Sequence, residues 1–288
     1  MEEERYRDAE GFSTDVLEAF PYGKSGLACL TVQSNEDRDL HRSQIMVSES
    51  FGVDPPRPAF DIKTWIYSLS KAADKEFYIA LSGGTLQVGA PANPRTLIET
   101  SHSFTKLCYA KKGVYVIGLN GYIGYFDGTN LTDMPVTGAQ DIYLVATAPD
   151  GTIFACGDRG GLYRRDNDEW VRFDLPISMD IYRIVPLSSN TIIMCGARGF
   201  CAQFYDGDLI VYDTPDQRKY FCVAKYRGDW YFGAGFRGLE KLAGNEVVPF
   251  KEKVYSYELW ADETQLIASG MNRVARFDGS AWAAVDFK

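Results

Sequence analysis

The stretch DIYLVATAPDGTIFACGDRGGLYRRDNDEWVRFDLPISM, residues 141–179, decides the fold because the rest of the chain repeats it. It contains four short strand-like segments separated by turn residues. A glycine in the middle of the unit recurs every 39 residues, at Gly118, Gly157, Gly196 and Gly235. A fixed period near forty residues with strand-like content is typical of a β-propeller, in which each repeat forms one blade.

The aromatic residue that leads the unit keeps the same spacing of 39 residues, at Trp65, Phe104, Tyr143, Tyr182 and Phe221. The repeat runs without interruption to the last residue of the 288-residue chain, which indicates one closed domain. We therefore predict an all-β protein with a single β-propeller of seven four-stranded blades. The alternative is a ring of six blades in which residues 1–63 form an elaborated cap.

The two ends of the chain differ in regularity. Residues 64–288 read as six regular repeats, and residues 25–63 as a degenerate first blade with loop insertions. Residues 1–24 carry charge clusters and a short apolar stretch, and we interpret them as a tail, a short helix or an edge strand. The last repeat contains all four strand signals, so we expect the ring to close without a strand from the N-terminus.

Charge and hydropathy restrict the partners and the compartment. The formal net charge of −9 argues against nucleic acid, because phosphate binding depends on a basic face. The same charge is compatible with a basic protein partner, and it is also common in soluble proteins. No apolar run approaches the about 18 to 20 residues of a membrane-spanning helix, and the acidic first residues do not show the positive and apolar regions that are typical of a secretion signal. We expect a cytoplasmic protein with no membrane partner.

Cysteine and histidine give no sign of a metal, cofactor or catalytic centre. The six cysteines include no Cys-x-x-Cys pair, and the two histidines have no metal-ligand spacing. Cys156 and Cys195 each precede the repeated glycine, in a slot where Ile117 also occurs. We expect this slot to be a tight interior position, in which cysteine behaves as a small hydrophobic residue.

The repeated motifs resemble those of a known group of proteins. The pairing of Gly118-Leu119-Asn120-Gly121 with Phe126-Asp127-Gly128 resembles bacterial propeller repeats of the broad WD40/YVTN-like group, over about residues 65–288. The Gly-His and Trp-Asp pairs of true WD40 repeats are missing, and no unit meets the sialidase Asp-box. The resemblance implies a rigid ring whose loops bind something, and it implies no particular function.

Three arginines recur one period apart in the turn between the second and third strands of their repeats: Arg159, Arg198 and Arg237. The propeller fold implies that these turns share a face with the loops that join successive blades. Guanidinium groups there could hold carboxylates of a partner in bidentate fashion. The alternative is a scaffold role, such as bonding to carbonyl groups of a neighbouring blade, because a shared slot in consecutive blades suits a shared structural task.

Residues that break the repeat in the same turns are further candidates for partner binding. These are Asn120, Tyr122, Phe200, Phe236 and Asn272. Together with the arginines they have the aromatic-plus-arginine composition enriched at protein interfaces. Each residue alone could also serve ordinary packing.

These observations favour a non-catalytic protein-binding propeller. By analogy, a small acidic propeller would suit an inhibitor, such as an immunity-type protein that occludes a toxin. One alternative is a hydrolase-like enzyme that processes a glycan or small anion at the central channel. Another is a structural subunit of a larger assembly.

Overall fold

The computed structural model of the chain describes residues 13–35 and 40–287, which form 28 strands. The strands make seven antiparallel sheets, each built from four consecutive strands. The first strand of each blade contacts the first strands of both neighbouring blades, so these seven strands surround a central channel. The predicted seven-bladed propeller is therefore confirmed. The six-bladed alternative is wrong, because residues 13–62 contain a complete four-stranded sheet.

Blades 1 to 3 comprise twelve strands. They are β1 (Ser13–Tyr22), β2 (Gly26–Asn35), β3 (Leu40–Ser48), β4 (Arg57–Ile62), β5 (Ile66–Ala73), β6 (Glu76–Leu81), β7 (Thr85–Gly89), β8 (Arg95–Glu99), β9 (Phe104–Ala110), β10 (Gly113–Gly118), β11 (Ile123–Phe126) and β12 (Leu131–Asp133).

Blades 4 to 7 comprise sixteen strands. They are β13 (Ile142–Thr147), β14 (Ile153–Gly157), β15 (Leu162–Asp166), β16 (Glu169–Arg172), β17 (Ile181–Ser188), β18 (Thr191–Gly196), β19 (Cys201–Tyr205), β20 (Asp208–Val211), β21 (Cys222–Tyr226), β22 (Asp229–Gly233), β23 (Leu239–Ala243), β24 (Glu246–Lys251), β25 (Glu258–Ala261), β26 (Leu266–Gly270), β27 (Arg273–Phe277) and β28 (Trp282–Asp286).

The first blade begins earlier than the sequence predicted. The sequence predicts a boundary at residue 25, with residues 1–24 as a tail or edge segment, whereas β1 is the innermost strand of blade 1. A bulge between Val16 and Glu18 interrupts the alternation of buried and exposed positions, and Glu18 places a charge inside an apolar stretch. Both features hide the strand from pattern reading. Residues 1–12 of the predicted tail lie outside the described residues.

The ring closes by packing between its first and last blades. Blade 7 is built from its own four strands, β25 to β28, as predicted, and β1 contacts β25 and β26. Val16 and Leu27 of blade 1 share a buried cluster with Ile267 and Val274 of blade 7. Burial of apolar side chains between these two blades therefore stabilises the closed ring.

The repeated glycine is required by close backbone approach. A Cβ atom at Gly157 would lie 2.0 Å from the carbonyl oxygen of Asp141, and one at Gly196 would lie 1.9 Å from that of Asp180. Both distances are shorter than any real Cβ contact, which stays above about 3 Å. The end of the second strand lies against the carbonyl group that directly precedes the first strand of the same blade. Only glycine, which has no side chain, fits at this position.

The lead aromatics of the sequence do not all occupy one structural position. Each first strand has an equivalent buried position at its start, which pairs with the last residue of the second strand. This position holds Ile66, Phe104, Ile142 and Ile181. Phe104 is therefore a core residue, and Thr105 is the counterpart of Tyr143. Likewise Tyr67 takes the position that the spacing assigned to Trp65. Small differences in hairpin and loop length between repeats shift the positions, and a fixed spacing cannot show them.

The cysteines lie in the interior, as the repeat predicted for Cys156 and Cys195, which are both fully buried. All six cysteines are free and buried. Burial in apolar surroundings raises the pKa of the thiols of Cys156 and Cys195, and it raises the pKa of Cys222 to about 12. These side chains therefore act as packing groups.

Candidate functional site

One face of the ring carries both the turns between second and third strands and the connections between blades; we call it the turn face. The backbone N–H of Gly160 donates to the carbonyl of Met179, at 2.8 Å, and that of Gly199 donates to the carbonyl of Arg218, at 2.6 Å. In both cases the acceptor lies in the connection that leads to the next blade. The turns are thereby fixed to the connections, and their exposed side chains project from a rigid surface.

Arg159 and Arg198 occupy equivalent positions on the turn face. Both adopt the left-handed conformation, with φ of 52° and 56°, and both are exposed. The Arg159 side chain is 72 % exposed and its guanidinium donates to Gln140 Oε1 at 2.7 Å. Within the described part of the chain, no hydrogen bond or ion pair involves the Arg198 guanidinium. Neither guanidinium bonds a carbonyl of a neighbouring blade within residues 13–35 and 40–287, which is the contact that the scaffold alternative suggested.

The corresponding turn of blade 6 is displaced by one residue. The N–H of Ala234 donates to the carbonyl of Gly238, at 2.9 Å, which matches the bond from Gly157 to Gly161 in blade 4. Ala234, and not Gly235, is therefore the counterpart of Gly157. The cause is the first hairpin of blade 6, which is one residue shorter than that of blade 5.

This displacement separates Arg237 from the other two arginines. Phe236 takes the position of Arg159 and Arg198, and its side chain is 62 % exposed. Arg237 follows it, and its guanidinium lies 5.3 Å from the centre of the Phe236 ring. The three arginines do share the turn face, but only two share a slot. The third forms a cation–π pair with an exposed aromatic residue.

The remaining predicted residues divide by exposure. Asn120 is exposed with φ of 56°, in the slot of Arg159, and Asn272 is exposed in the turn of blade 7. Tyr122 and Phe200 are only 7 % and 3 % exposed. Both residues directly precede the third strand of their blade, and their side chains belong to buried core clusters. Tyr122 and Phe200 therefore contribute packing, and they offer little surface to a partner.

The contacts of Tyr122 also show that its side chain has a structural role. Its hydroxyl donates to Asp133 Oδ1 at 2.7 Å, and its ring stacks on His102 with centroids 3.9 Å apart. Burial, followed by the hydrogen bond to Asp133, raises the pKa of the Tyr122 phenol. His102 thus supports the packing of this tyrosine.

The sequence did not reveal a charged cluster that crosses the central channel. Lys106 Nζ lies 3.1 Å from Glu18 Oε1 and also pairs with Glu258, which in turn pairs with Arg183. These residues come from the first strands of blades 1, 3, 5 and 7. Glu18 also accepts hydrogen bonds from Ser68 Oγ, at 2.8 Å, and from a backbone N–H. The sequence signal that could have revealed this cluster is a charged residue within a mainly apolar first strand.

A cavity of about 700 Å³ lies in the channel on one side of this cluster. Its walls run along the first strands from Glu18 and Lys106 to Ala73, Tyr109 and Pro186, near the hairpins that join first and second strands. Tyr109 is 63 % exposed, so the cavity reaches solvent there. This opening is on the face opposite the turn face, which we call the hairpin face.

Aromatic rings line the channel on the turn-face side of the charged cluster. They occupy the position directly before that of Arg183 and Glu258 in the chain. Ring centroids of Tyr143 and Tyr182 are 5.5 Å apart, those of Tyr182 and Phe221 are 6.1 Å apart, and those of Phe221 and Tyr257 are 4.8 Å apart. Burial, followed by the charge of Asp180, raises the pKa of Tyr143 to about 12. The rings form a continuous arc across blades 4 to 7.

A groove of about 630 Å³ lies on the turn face between blades 6 and 7. It is lined by the Phe236–Arg237 turn and by Lys251, Lys253, Tyr255 and Arg273. We call it the blade 6/7 groove. It brings two of the predicted site residues together with basic residues that the sequence did not single out.

Within the described residues, no group of three or more His, Cys, Asp and Glu side chains is placed to hold a metal ion. None of the described segments forms an apolar helix of membrane-spanning length.

Comparison with solved structures shows the same fold. The WD40 β-propeller domain of Doa1 superposes with a TM-score of 0.70 at 10 % identity, covering 93 % of this chain and 96 % of that one. Sqt1 of Chaetomium thermophilum, bound to the N-terminus of ribosomal protein L10, gives a TM-score of 0.68 at 11 % identity, with 97 % and 89 % coverage. YCF48 bound to D1 peptide gives 0.63 at 12 % identity, with 92 % and 93 % coverage.

No family model matches the sequence, and no curated protein matches it. The chain is thus similar in structure to WD40 β-propellers, as the repeat motifs suggested, and at these identities the similarity concerns the fold.

Proposed function

We propose that the chain is a non-catalytic, cytoplasmic propeller that binds a partner protein through its turn face. The observation that carries this proposal is the row of exposed side chains on rigid turns of successive blades, namely Asn120, Arg159, Arg198 and Phe236. Arginine and aromatic side chains are the types that contribute most to protein interfaces. Their backbone is already fixed, so binding costs little conformational entropy there.

Two further observations support a protein partner in a reducing compartment. Sqt1 and YCF48, which share this fold, are each bound to a peptide or protein segment in their structures. All six cysteines are free, as is usual in proteins of the cytoplasm.

We propose inhibition of the partner as the mode of action, in the manner of an immunity-type protein that occludes a toxin. A rigid ring that presents one face can cover the active surface of a partner without moving parts. The test is the activity of the partner in the complex. Inhibition predicts a partner that is inactive when bound and active when released, whereas a partner that stays active in the complex contradicts it.

The binding function is tested by charge reversal on the turn face. Arg159→Glu with Arg198→Glu should weaken binding of a partner co-purified from native cells by about tenfold, since each exposed ion pair contributes about 0.2 to 1 kcal/mol and reversal adds repulsion. The melting temperature should not change. Lys111→Glu with Lys112→Glu, on the hairpin face, makes the same change in net charge and should leave affinity unchanged. Loss of folding in the arginine variant would instead support the scaffold role.

The channel cavity favours a second candidate function, an enzyme that processes a glycan or small anion. Two carboxylates, Glu18 and Glu258, converge at the cavity, where both pair with Lys106, and carboxylates are common general acids and bases. Ala146 lies on the cavity wall. Turnover of a glycan or small-anion substrate that is abolished by Ala146→Phe would establish this function, and undiminished turnover in that variant would exclude the cavity as its site.

A further inference from the structure

The blade 6/7 groove has a distinctive charge balance. Five cations line it, at Arg218, Arg237, Lys251, Lys253 and Arg273, against the two carboxylates Glu240 and Glu252. The chain as a whole carries a formal charge of −9, so the lining of the groove has the opposite charge balance to the chain as a whole.

Two of the cations are held by carboxylates of the protein. Arg218 donates to both carboxylate oxygens of Asp216, at 2.7 Å each, and to Glu240. Arg273 donates to both oxygens of Asp286, at 2.5 and 3.0 Å. These two arginines form the frame of the groove, and their charge is neutralised within the protein.

The other three cations have no such partner. In the described part of the chain no carboxylate lies within 4.0 Å of the charged groups of Arg237, Lys251 or Lys253, and all three side chains are exposed. Glu240 is 2 % exposed and is taken up by Arg218 and the Tyr220 hydroxyl. Three cations without a direct ion pair therefore face the groove, although the Arg237 charge also acts on Asp216 and helps to lower its pKa. Among the described residues that line the groove, Glu252 is the exposed carboxylate.

The groove also offers apolar surface between these charges. Phe236 is 62 % exposed at one side, and Pro249 and Tyr255 contribute to the lining. Tyr255 is held by the Arg273 guanidinium, which lies 5.8 Å from the centre of its ring. A ligand that fits must combine negative charges with apolar groups.

We propose that the blade 6/7 groove binds an acidic peptide segment of the partner, with carboxylates on Arg237, Lys251 and Lys253 and an apolar side chain against Phe236. The inference rests on the proposed function, since the groove belongs to the turn face. A peptide is favoured over nucleic acid because the long phosphate backbone would meet the net negative charge of the rest of the chain. The overall charge suggested a basic partner, whereas the groove selects an acidic segment.

The experiment measures anisotropy of a short fluorescent peptide rich in Glu and Phe. We expect saturable binding that weakens as salt rises, because the screening length falls from about 10 Å at 0.1 M to about 3 Å at 1 M. Arg237→Glu with Lys253→Glu should weaken binding at least about tenfold, from loss of two attractive contacts and gain of repulsion. Lys111→Glu with Lys112→Glu is the matched control and should change affinity by less than about twofold.

Three results would overturn the inference: equal binding of a peptide with Lys in place of Glu, undiminished binding to the groove variant, or tighter binding of a single-stranded oligonucleotide. If the groove variant unfolds, Arg237→Gln alone is expected to show a smaller loss of peptide affinity in a folded protein, and no loss would count against the groove. A native partner that is lost with the Arg159 and Arg198 reversals but retained by the groove variant would sustain the proposed function and refute this inference. A partner indifferent to both variants would refute the proposed function itself.

Discussion

Replacement of Lys106 by methionine removes the cation that joins two carboxylates across the channel. The ammonium group lies 3.1 Å from Glu18 and also pairs with Glu258, and its side chain is 24 % exposed. The Glu18 side chain is only 7 % exposed. Removal of one partner of a fully buried ion pair costs about 3 to 5 kcal/mol.

The cost at this position should be somewhat smaller. Glu258 keeps its pair with Arg183, and Glu18 keeps its hydrogen bonds from Ser68 and the backbone. We therefore expect Lys106→Met to lower the free energy of unfolding by about 2 kcal/mol and the melting temperature by about 5 °C. Urea unfolding followed by tryptophan fluorescence measures the first quantity, and calorimetry the second.

Lys75→Met provides the matched control. Lys75 pairs with Glu49 at 2.8 Å, but the two side chains are 45 % and 67 % exposed. Because solvent screens this surface pair, its removal should leave the urea midpoint and the melting temperature almost unchanged. Equal losses in the two variants would refute the view that the channel cluster contributes to holding the ring together.

Other consequences of the structure can be measured in the same way. Gly157→Ala should cost about 3 kcal/mol, because its Cβ would lie 2.0 Å from a carbonyl oxygen, whereas Gly151→Ala meets no atom within 4 Å and should cost about 1 kcal/mol through its positive φ alone; equal losses would contradict the steric account. The six buried thiols, including Cys222 with its pKa raised to about 12, should resist maleimide in the native protein and react in urea, and one fast thiol would contradict their burial. Hydrogen bonds from Arg218 lower the pKa of Asp216 to about 2, below its unfolded value of about 3.9, so its contribution to stability is present above about pH 4 and is lost as the pH falls towards 2. Thermal melts against pH should show this loss, and Asp216→Asn should flatten it; an unchanged slope in that variant would disprove the assignment.

The fold could be predicted from the sequence because a close backbone contact requires the same residue type at the same position of successive blades. Glycine at positions 157 and 196 is the residue that lets one strand pass close to a carbonyl, so it recurs visibly at a fixed spacing. The innermost strand of blade 1 was missed because its bulge at Leu17 and the inward charge of Glu18 erase the alternation on which strand recognition depends. Local irregularity hides a strand even where the fold as a whole is regular.

The candidate site was only partly predictable for a related reason. Spacing placed Arg159 and Arg198 correctly in one slot, but one missing residue in the first hairpin of blade 6 moved Phe236 into that slot and Arg237 out of it. Exposure also depends on the position within the turn. Tyr122 and Phe200 are the last residues before the third strand and are buried, whereas Asn120 and Arg198, two residues earlier, are exposed, and the repeat spacing does not show this difference. The blade 6/7 groove depends on packing between two blades, which no single repeat encodes.

The central claim is that a partner protein binds the turn face. Hydrogen exchange measured on the complex with a co-purified partner tests it most directly. The account predicts slower exchange in the turns at residues 118–122, 157–161, 196–200 and 234–238 and in the connections beside them, with no change in the hairpins at residues 111–113 and 149–151. Protection confined to those hairpins, or to the strands around the channel cavity, would contradict it.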